Sequence, residues 1–273
     1  MKTLPNMSAG TTIHLRSMTI FSITAVACLA AAAAPRVQLG SVSVAPGSTF
    51  LVPVSCEDTT AAQVTVLVAR ISLPETQVEV LEVLPDPTLV DAGKSFDYEI
   101  TGDILSLCVF GGSTAIPSGQ LGLLLLRLRP ESTLTGTITL AAAETHGADK
   151  NAGAVTVTGT GGLITVLDGA LPHKADPDGD WHISLGELLR IIQLYNMGAY
   201  HCEALTEDGF APGPGDTDCE GHDADYNPRD WKIAFEELLR LIQFYNAPYG
   251  VYHREAATED GFAPGPYGIL YGR

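Results

Sequence analysis

The chain of 273 residues is 45% hydrophobic and 7% aromatic, with a net charge of −17, and has room for one or two domains plus a targeting segment. Eighteen of its acids, against seven bases, fall in residues 173–273. That surplus excludes a nucleic-acid partner, whose phosphates it would repel, and suits an extracellular protein that recruits cations.

At the N-terminus, Lys2, His14 and Arg16 precede an uncharged, Ala-rich run over 18–34, which Pro35 and Arg36 close. This pattern predicts an export signal over 1–34, cleaved after small residues such as Ala32 and Ala34. The run sits at the lower limit for spanning a bilayer, so membrane contact is expected only through the signal. A secreted or cell-surface location follows.

Removing Cys28 with the signal leaves Cys56, Cys108, Cys202 and Cys219, and an even count in an exported chain favours disulfides. Cys202 and Cys219 flank a TEDGFAPGP tract. The second copy of that tract has Arg254 at the Cys202 position and no Cys after Pro266. The two cysteines are absent together there and are expected to bond to each other. By elimination Cys56 pairs with Cys108.

Residues 35–168 form the next segment. Runs at 37–44, 50–55, 64–71, 78–84, 104–110, 121–128, 135–141, 154–158 and 163–166 are rich in Val, Ile, Thr and Leu and are separated by Gly, Pro, Asp or Ser. These nine runs, with no helical pattern among them, predict two packed antiparallel sheets. LGLLLL at 121–126 is apolar on both faces and should be a central strand. No catalytic set emerges. His146 stands alone, and Glu79 and Glu82 read as a solvated strand face.

The order VSVAPGSTFLVPVSC, VTVLVARISLPETQVEVLEVLPDP, ILSLCVFGGSTAIPSGQLGLLLLRLRP and GGLITV resembles a cohesin domain over residues 36–168. The resemblance implies a mainly β protein, with a nine-stranded jelly-roll sandwich that docks dockerin modules. Carbohydrate-binding modules share this architecture, and a glycan-holding sandwich anchored by its C-terminal repeats is the alternative reading. Both Trp lie elsewhere and Tyr98 is the sandwich's one Tyr, which disfavours a stacking platform for sugars.

Residues 169–273 hold two copies of one unit. HKADPDGDWHISLGELLRIIQLYN and HDADYNPRDWKIAFEELLRLIQFYN each lead to TEDGFAPGP. In the first, Asp176, Asp178 and Asp180 alternate, His182 follows with a backbone carbonyl, and Glu187 closes a twelve-residue loop. Alternating carboxylates and a terminal acid are what a hard cation such as calcium takes from a short loop. Trp181 stands where such loops place a turn-forming Gly, and a bulky residue is penalised there if φ is positive. Ser184 and Glu187 form a capping box. The second loop offers Asp225, Asn227, Asp230, the carbonyl of Lys232 and Glu237, with one extra residue, Pro228 or Arg229.

Each loop opens an amphipathic helix. Leu185, Leu188, Leu189 and Ile192, and Phe235, Leu238, Leu239 and Ile242, predict core faces. Ile191, Leu194, Leu241 and Phe244 are surplus apolar residues that suit a partner. This duplicated unit over residues 173–266 resembles a dockerin, an EF-hand-type calcium module that docks onto cohesins. The two positions that help dockerins choose a partner, often Ser/Thr, are Leu185 and Gly186, then Phe235 and Glu236. The whole implies an exported, non-enzymatic adhesion or scaffold protein with calcium-dependent docking, in the setting of polysaccharide breakdown or surface attachment. The short connection at 167–174 predicts that the module does not fold back on its own sandwich, so any recognition between the two would join separate molecules.

Overall fold

The computed structural model describes residues 33–129 and 136–268, so the expected export signal lies outside the described residues but for Ala33 and Ala34. The first half contains β1 Arg36–Leu39, β2 Val42–Val44, β3 Thr49–Glu57, β4 Val66–Ser72, β5 Val78–Pro85, α1 Pro87–Asp91, β6 Ser95–Thr101, β7 Ile104–Phe110, β8 Gly119–Leu128, β9 Gly136–Ala148, β10 Ala154–Thr156, β11 Thr158–Thr160 and β12 Gly162–Val166. One sheet runs β11-β1-β3-β8-β5 and the other β2-β12-β9-β4-β7-β6, with β10 also paired to β9. Two packed sheets were expected; among the described residues they contain twelve strands rather than nine.

The extra strands arise where segments 36–44 and 158–166 each leave one sheet for the other. β1 pairs in parallel with β11, and β2 with β12. The crossing requires close backbone approach, since a side chain at Gly162 would overlap the Gly40 carbonyl. The edge strand β6 was not among the expected runs, although Phe96, Tyr98 and Ile100 alternate with polar residues along it; Phe96 packs partly against the core, and Tyr98 and Ile100 are exposed. Asp86 accepts from the Thr88 amide and caps α1, a short helix also absent from the sequence pattern.

β8 is central, between β3 and β5. Leu124 and Leu126 face the inter-sheet core and Leu125 is buried on the opposite face. The pairing of Cys56 with Cys108 is not formed; both thiols are free. Cys56 points into the core from β3, near Thr59 and Pro117. Cys108 alternates with buried Leu107 and Val109 on β7, so it faces outward from the other sheet. Opposite sides of different sheets cannot be bridged.

The second half repeats a loop, a helix and a small hairpin. Helix α2 Leu185–Asn196 is followed by β13 Tyr200–Cys202 and β14 Phe210–Pro212, and α3 Phe235–Tyr245 by β15 Tyr252–Arg254 and β16 Phe262–Pro264. Each TEDGF tract turns a hairpin and ties it to its own helix. Arg190 holds Asp208 at 2.8 Å, and Arg240 holds Asp260 at 2.7 Å. The expected Cys202–Cys219 disulfide is present.

The helices bury the expected faces only in part: Leu188 and Leu238 are buried and Ile192 and Ile242 partly so, and residues expected as surplus complete the buried stripe. Leu188, Ile191 and Leu194, and Leu238, Leu241 and Phe244, enter a second core with Tyr200 and Tyr252, whereas Leu185, Leu189, Phe235 and Leu239 are exposed. Both stripes are apolar, and the returning hairpins select the one they cover. Among the described residues no helix is long and apolar enough to cross a membrane.

The expectation that the module stays off its sandwich is also corrected. The Trp181 indole donates to the Pro46 carbonyl at 2.7 Å, and Tyr267 pairs its backbone with Thr49 and Leu51. No long connection is needed, because β12 lies beside β2 and Leu167 still bonds Val44 as the chain leaves the sheet. The turn after β2 is therefore already at hand when the module begins.

Candidate metal centre

Loop one is built around Asp176, which is 2% exposed. Its Oδ1 accepts from the amides of Gly179 and Asp180, and its Oδ2 from the Trp181 amide at 2.9 Å and the Tyr252 hydroxyl at 2.6 Å. Glu187 starts α2 in the expected capping box, accepting from the Ser184 amide at 2.7 Å while Ser184 Oγ accepts from the Glu187 amide. Asp176, Asp178 and Glu187 each bring an oxygen within 4.8 Å of the others. Asp180 is turned aside to the His182 amide at 2.8 Å, and His182 forms an antiparallel bridge with Val251.

The electrostatics are those of acids crowded out of water. Burial pushes Asp176 up to about 7 against the pull of the Tyr252 hydroxyl, and Asp178, Glu187 and Asp180 add to the rise. Burial is also the main cause of the upward shifts of Asp180 and Glu187. A hard cation would relieve this crowding by offsetting the repulsion and compensating the hydration that burial removes from the carboxylates.

Trp181 does adopt positive φ, at 62°. That conformation costs a non-Gly residue about 1–2 kcal/mol. Burying an indole removes roughly 150–250 Å² from water, worth about 4–6 kcal/mol, and Trp181 is 1% exposed. Packing outweighs the strain, so loop one keeps its bend without Gly.

Loop two keeps the same frame and fills it differently. Asp225 accepts from the amides of Asp230 and Trp231 and from the Tyr200 hydroxyl at 2.6 Å. Glu237, 2% exposed, accepts from the amides of Tyr226, Asn227 and Ala234 at 2.8, 2.9 and 2.7 Å. Asn227 reaches toward Glu259 and Asp230 toward Lys232, so the five residues expected here do not share a centre. The residue matching Tyr226 in loop one is Pro177, which has no amide hydrogen to place on Glu187.

The two tyrosines cross between copies. Tyr252 of the second copy clasps Asp176 and accepts from the His173 amide, and Tyr200 of the first clasps Asp225 and accepts from the His222 amide. Burial drives both His173 and His222 down to about 3, so they are neutral. They pack against Phe262 and Phe210 at 4.9 and 5.0 Å between ring centroids. Sequence reading missed these tyrosines. Their signal was present, since a Tyr-His pair stands at the same distance ahead of TEDGF in both copies.

No family model matches the chain, and no curated protein does. Similar solved structures are cohesins covering the N-terminal half. A non-cellulosomal cohesin from the hyperthermophilic archaeon Archaeoglobus fulgidus is 22% identical, with a TM-score of 0.43 over 50% of this chain and 93% of that one. A Clostridium thermocellum type I cohesin–dockerin complex, Coh-OlpA with Doc918, gives 16% and 0.45 over 50% and 100%. The seventh ScaB type I cohesin from Pseudobacteroides cellulosolvens gives 17% and 0.41 over 50% and 94%.

Proposed function

We propose that this is an exported, non-enzymatic docking protein whose cohesin-type sandwich takes dockerin-type protein modules as partners and whose C-terminal repeats bind one calcium ion. The carrying observation is the convergence of Asp176, Asp178 and Glu187 within 4.8 Å in a loop that leaves them short of positive charge. Their oxygen-only donor set suits calcium. Bound calcium supplies a fixed point that ties the loop to the start of α2. Loop two needs no ion, since Glu237 takes the amides that close it.

The sequence resemblance over residues 36–168 supports the docking role. The module sits on the β3 side of the sandwich, which leaves the outer face of β6, β7, β4 and β9 open, with Val68, Cys108 and Phe110 along it. That face is the one offered to a partner.

Calorimetric titration tests the metal: the wild type takes up one calcium and Asp178→Ala binds it at least about tenfold more weakly. An unchanged isotherm in the variant removes loop one as the site. Surface binding to immobilised dockerin modules tests the docking, and retention on insoluble polysaccharide instead would replace it with the glycan reading.

A further inference from the structure

The cation loop is not self-contained. Its most buried ligand candidate, Asp176, has its Oδ2 held by a hydroxyl 76 residues away, from the hairpin of the other copy. Tyr252 is fully buried, stacked on Phe244 at 5.4 Å and tilted against Trp181 at 5.4 Å. Its backbone amide donates to the Trp181 carbonyl at 3.1 Å. Ring, backbone and hydroxyl therefore grip loop one at three points. The hydroxyl accepts from His173 and so has a single proton, directed to Asp176.

We propose that Tyr252 is a positioning residue for the loop-one cation, fixing the plane of the Asp176 carboxylate so that it meets Asp178 and Glu187. The second copy thereby sets the cation affinity of the first. This rests on the calcium reading of loop one. The matching hydroxyl of Tyr200 makes an equal bond to Asp225 in loop two, where Glu237 is already closed by amides. It is an internal control: the same hydrogen bond, without the cation.

The full chain and its Tyr252→Phe and Tyr200→Phe variants are titrated with calcium by calorimetry, with melting temperature measured alongside. Both variants are expected to lose similar thermal stability without calcium. Only Tyr252→Phe should weaken calcium, by about tenfold or more, with Tyr200→Phe within about twofold of wild type. In wild-type protein carrying ring-labelled tyrosine, calcium should shift the Tyr252 NMR signal and leave that of Tyr200 in place. That readout requires no variant to fold. Wild-type affinity in a folded Tyr252→Phe, equal weakening in both variants, or equal shifts of both signals would each overturn the positioning role. Absence of calcium binding by the wild type would overturn the metal reading itself, a distinct result.

Discussion

Loop one and loop two share a buried Asp, a Trp at positive φ and a tyrosine clasp from the opposite copy, yet they close by different means. In loop two the chain neutralises its own acid: three amides converge on Glu237. In loop one Pro177 withholds the corresponding amide and Asp178 contributes another carboxylate, so charge accumulates. The pair teaches that the ligand pattern in a sequence reports the frame of a cation loop. Two loop amides, from Tyr226 and Asn227, reach Glu237, whereas the Ser184 amide is the one that reaches Glu187.

The largest effect should come from what the copies have in common. Asp208 and Asp260 are each gripped by an Arg and nearly buried. Breaking such a pair costs about 3–5 kcal/mol. Asp260→Asn should lose about 3 kcal/mol in denaturant unfolding, and Asp208→Asn less, because the Cys202–Cys219 disulfide keeps its hairpin closed. Burial pushes both carboxyls up, but the paired guanidinium of Arg190 or Arg240 outweighs it and holds them below the ordinary range. The stabilisation is thus complete above about pH 4 and lost as pH falls through the folded value. Each Asn variant should flatten that acid limb, and equal loss in both would discount the disulfide.

Next comes the tryptophan pair. Trp181→Gly relieves the positive φ but forfeits burial against the sandwich, for a net loss of about 2–3 kcal/mol. Trp231 has the same φ, at 65°, and is only half-buried. Trp231→Gly should cost about 1 kcal/mol or less on the same balance. Thermal unfolding of both checks the ordering, and the reverse order would mean that the sandwich does not support loop one.

The sandwich was legible because alternation requires only a core on one side. Leu121 to Leu126 gave away β8 by being apolar on both faces, whereas in β6 the alternating Phe96, Tyr98 and Ile100 are diluted by Asp97 and Glu99 between them. The Cys202–Cys219 bond was legible from joint absence in the second copy. The Cys56–Cys108 pairing failed because counting cysteines ignores which side of a strand each occupies. Helix faces were ambiguous, since Leu185 and Ile191 are equally apolar and later hairpins chose between them. The repeated Tyr-His pair marks the clasping tyrosines, but which loop each one serves, like the seat on Pro46, depends on contacts between distant segments that local spacing does not encode. The residues expected as ligands divided the same way: Asp176, Asp178 and Glu187 converge, but the amides that take Glu237 are invisible in a list of side chains.

The smallest change in stability carries the sharpest test of the two closures. In Glu237→Gln one carboxylate oxygen becomes a carboxamide NH2, so an amide N–H that had an acceptor faces a donor instead. That should cost about 1–3 kcal/mol with or without calcium. Glu187→Gln turns the acceptor of the Ser184 amide from a charged to a neutral oxygen but also removes a charge from a crowded cluster. Those effects oppose each other, and calcium-free stability should stay within about 0.5 kcal/mol of wild type. The gain in melting temperature on adding calcium should then vanish in Glu187→Gln and persist in Glu237→Gln, because only a ligand that binds the folded state raises its stability. A calcium response that survives Glu187→Gln and disappears with Glu237→Gln would exchange the roles of the two loops.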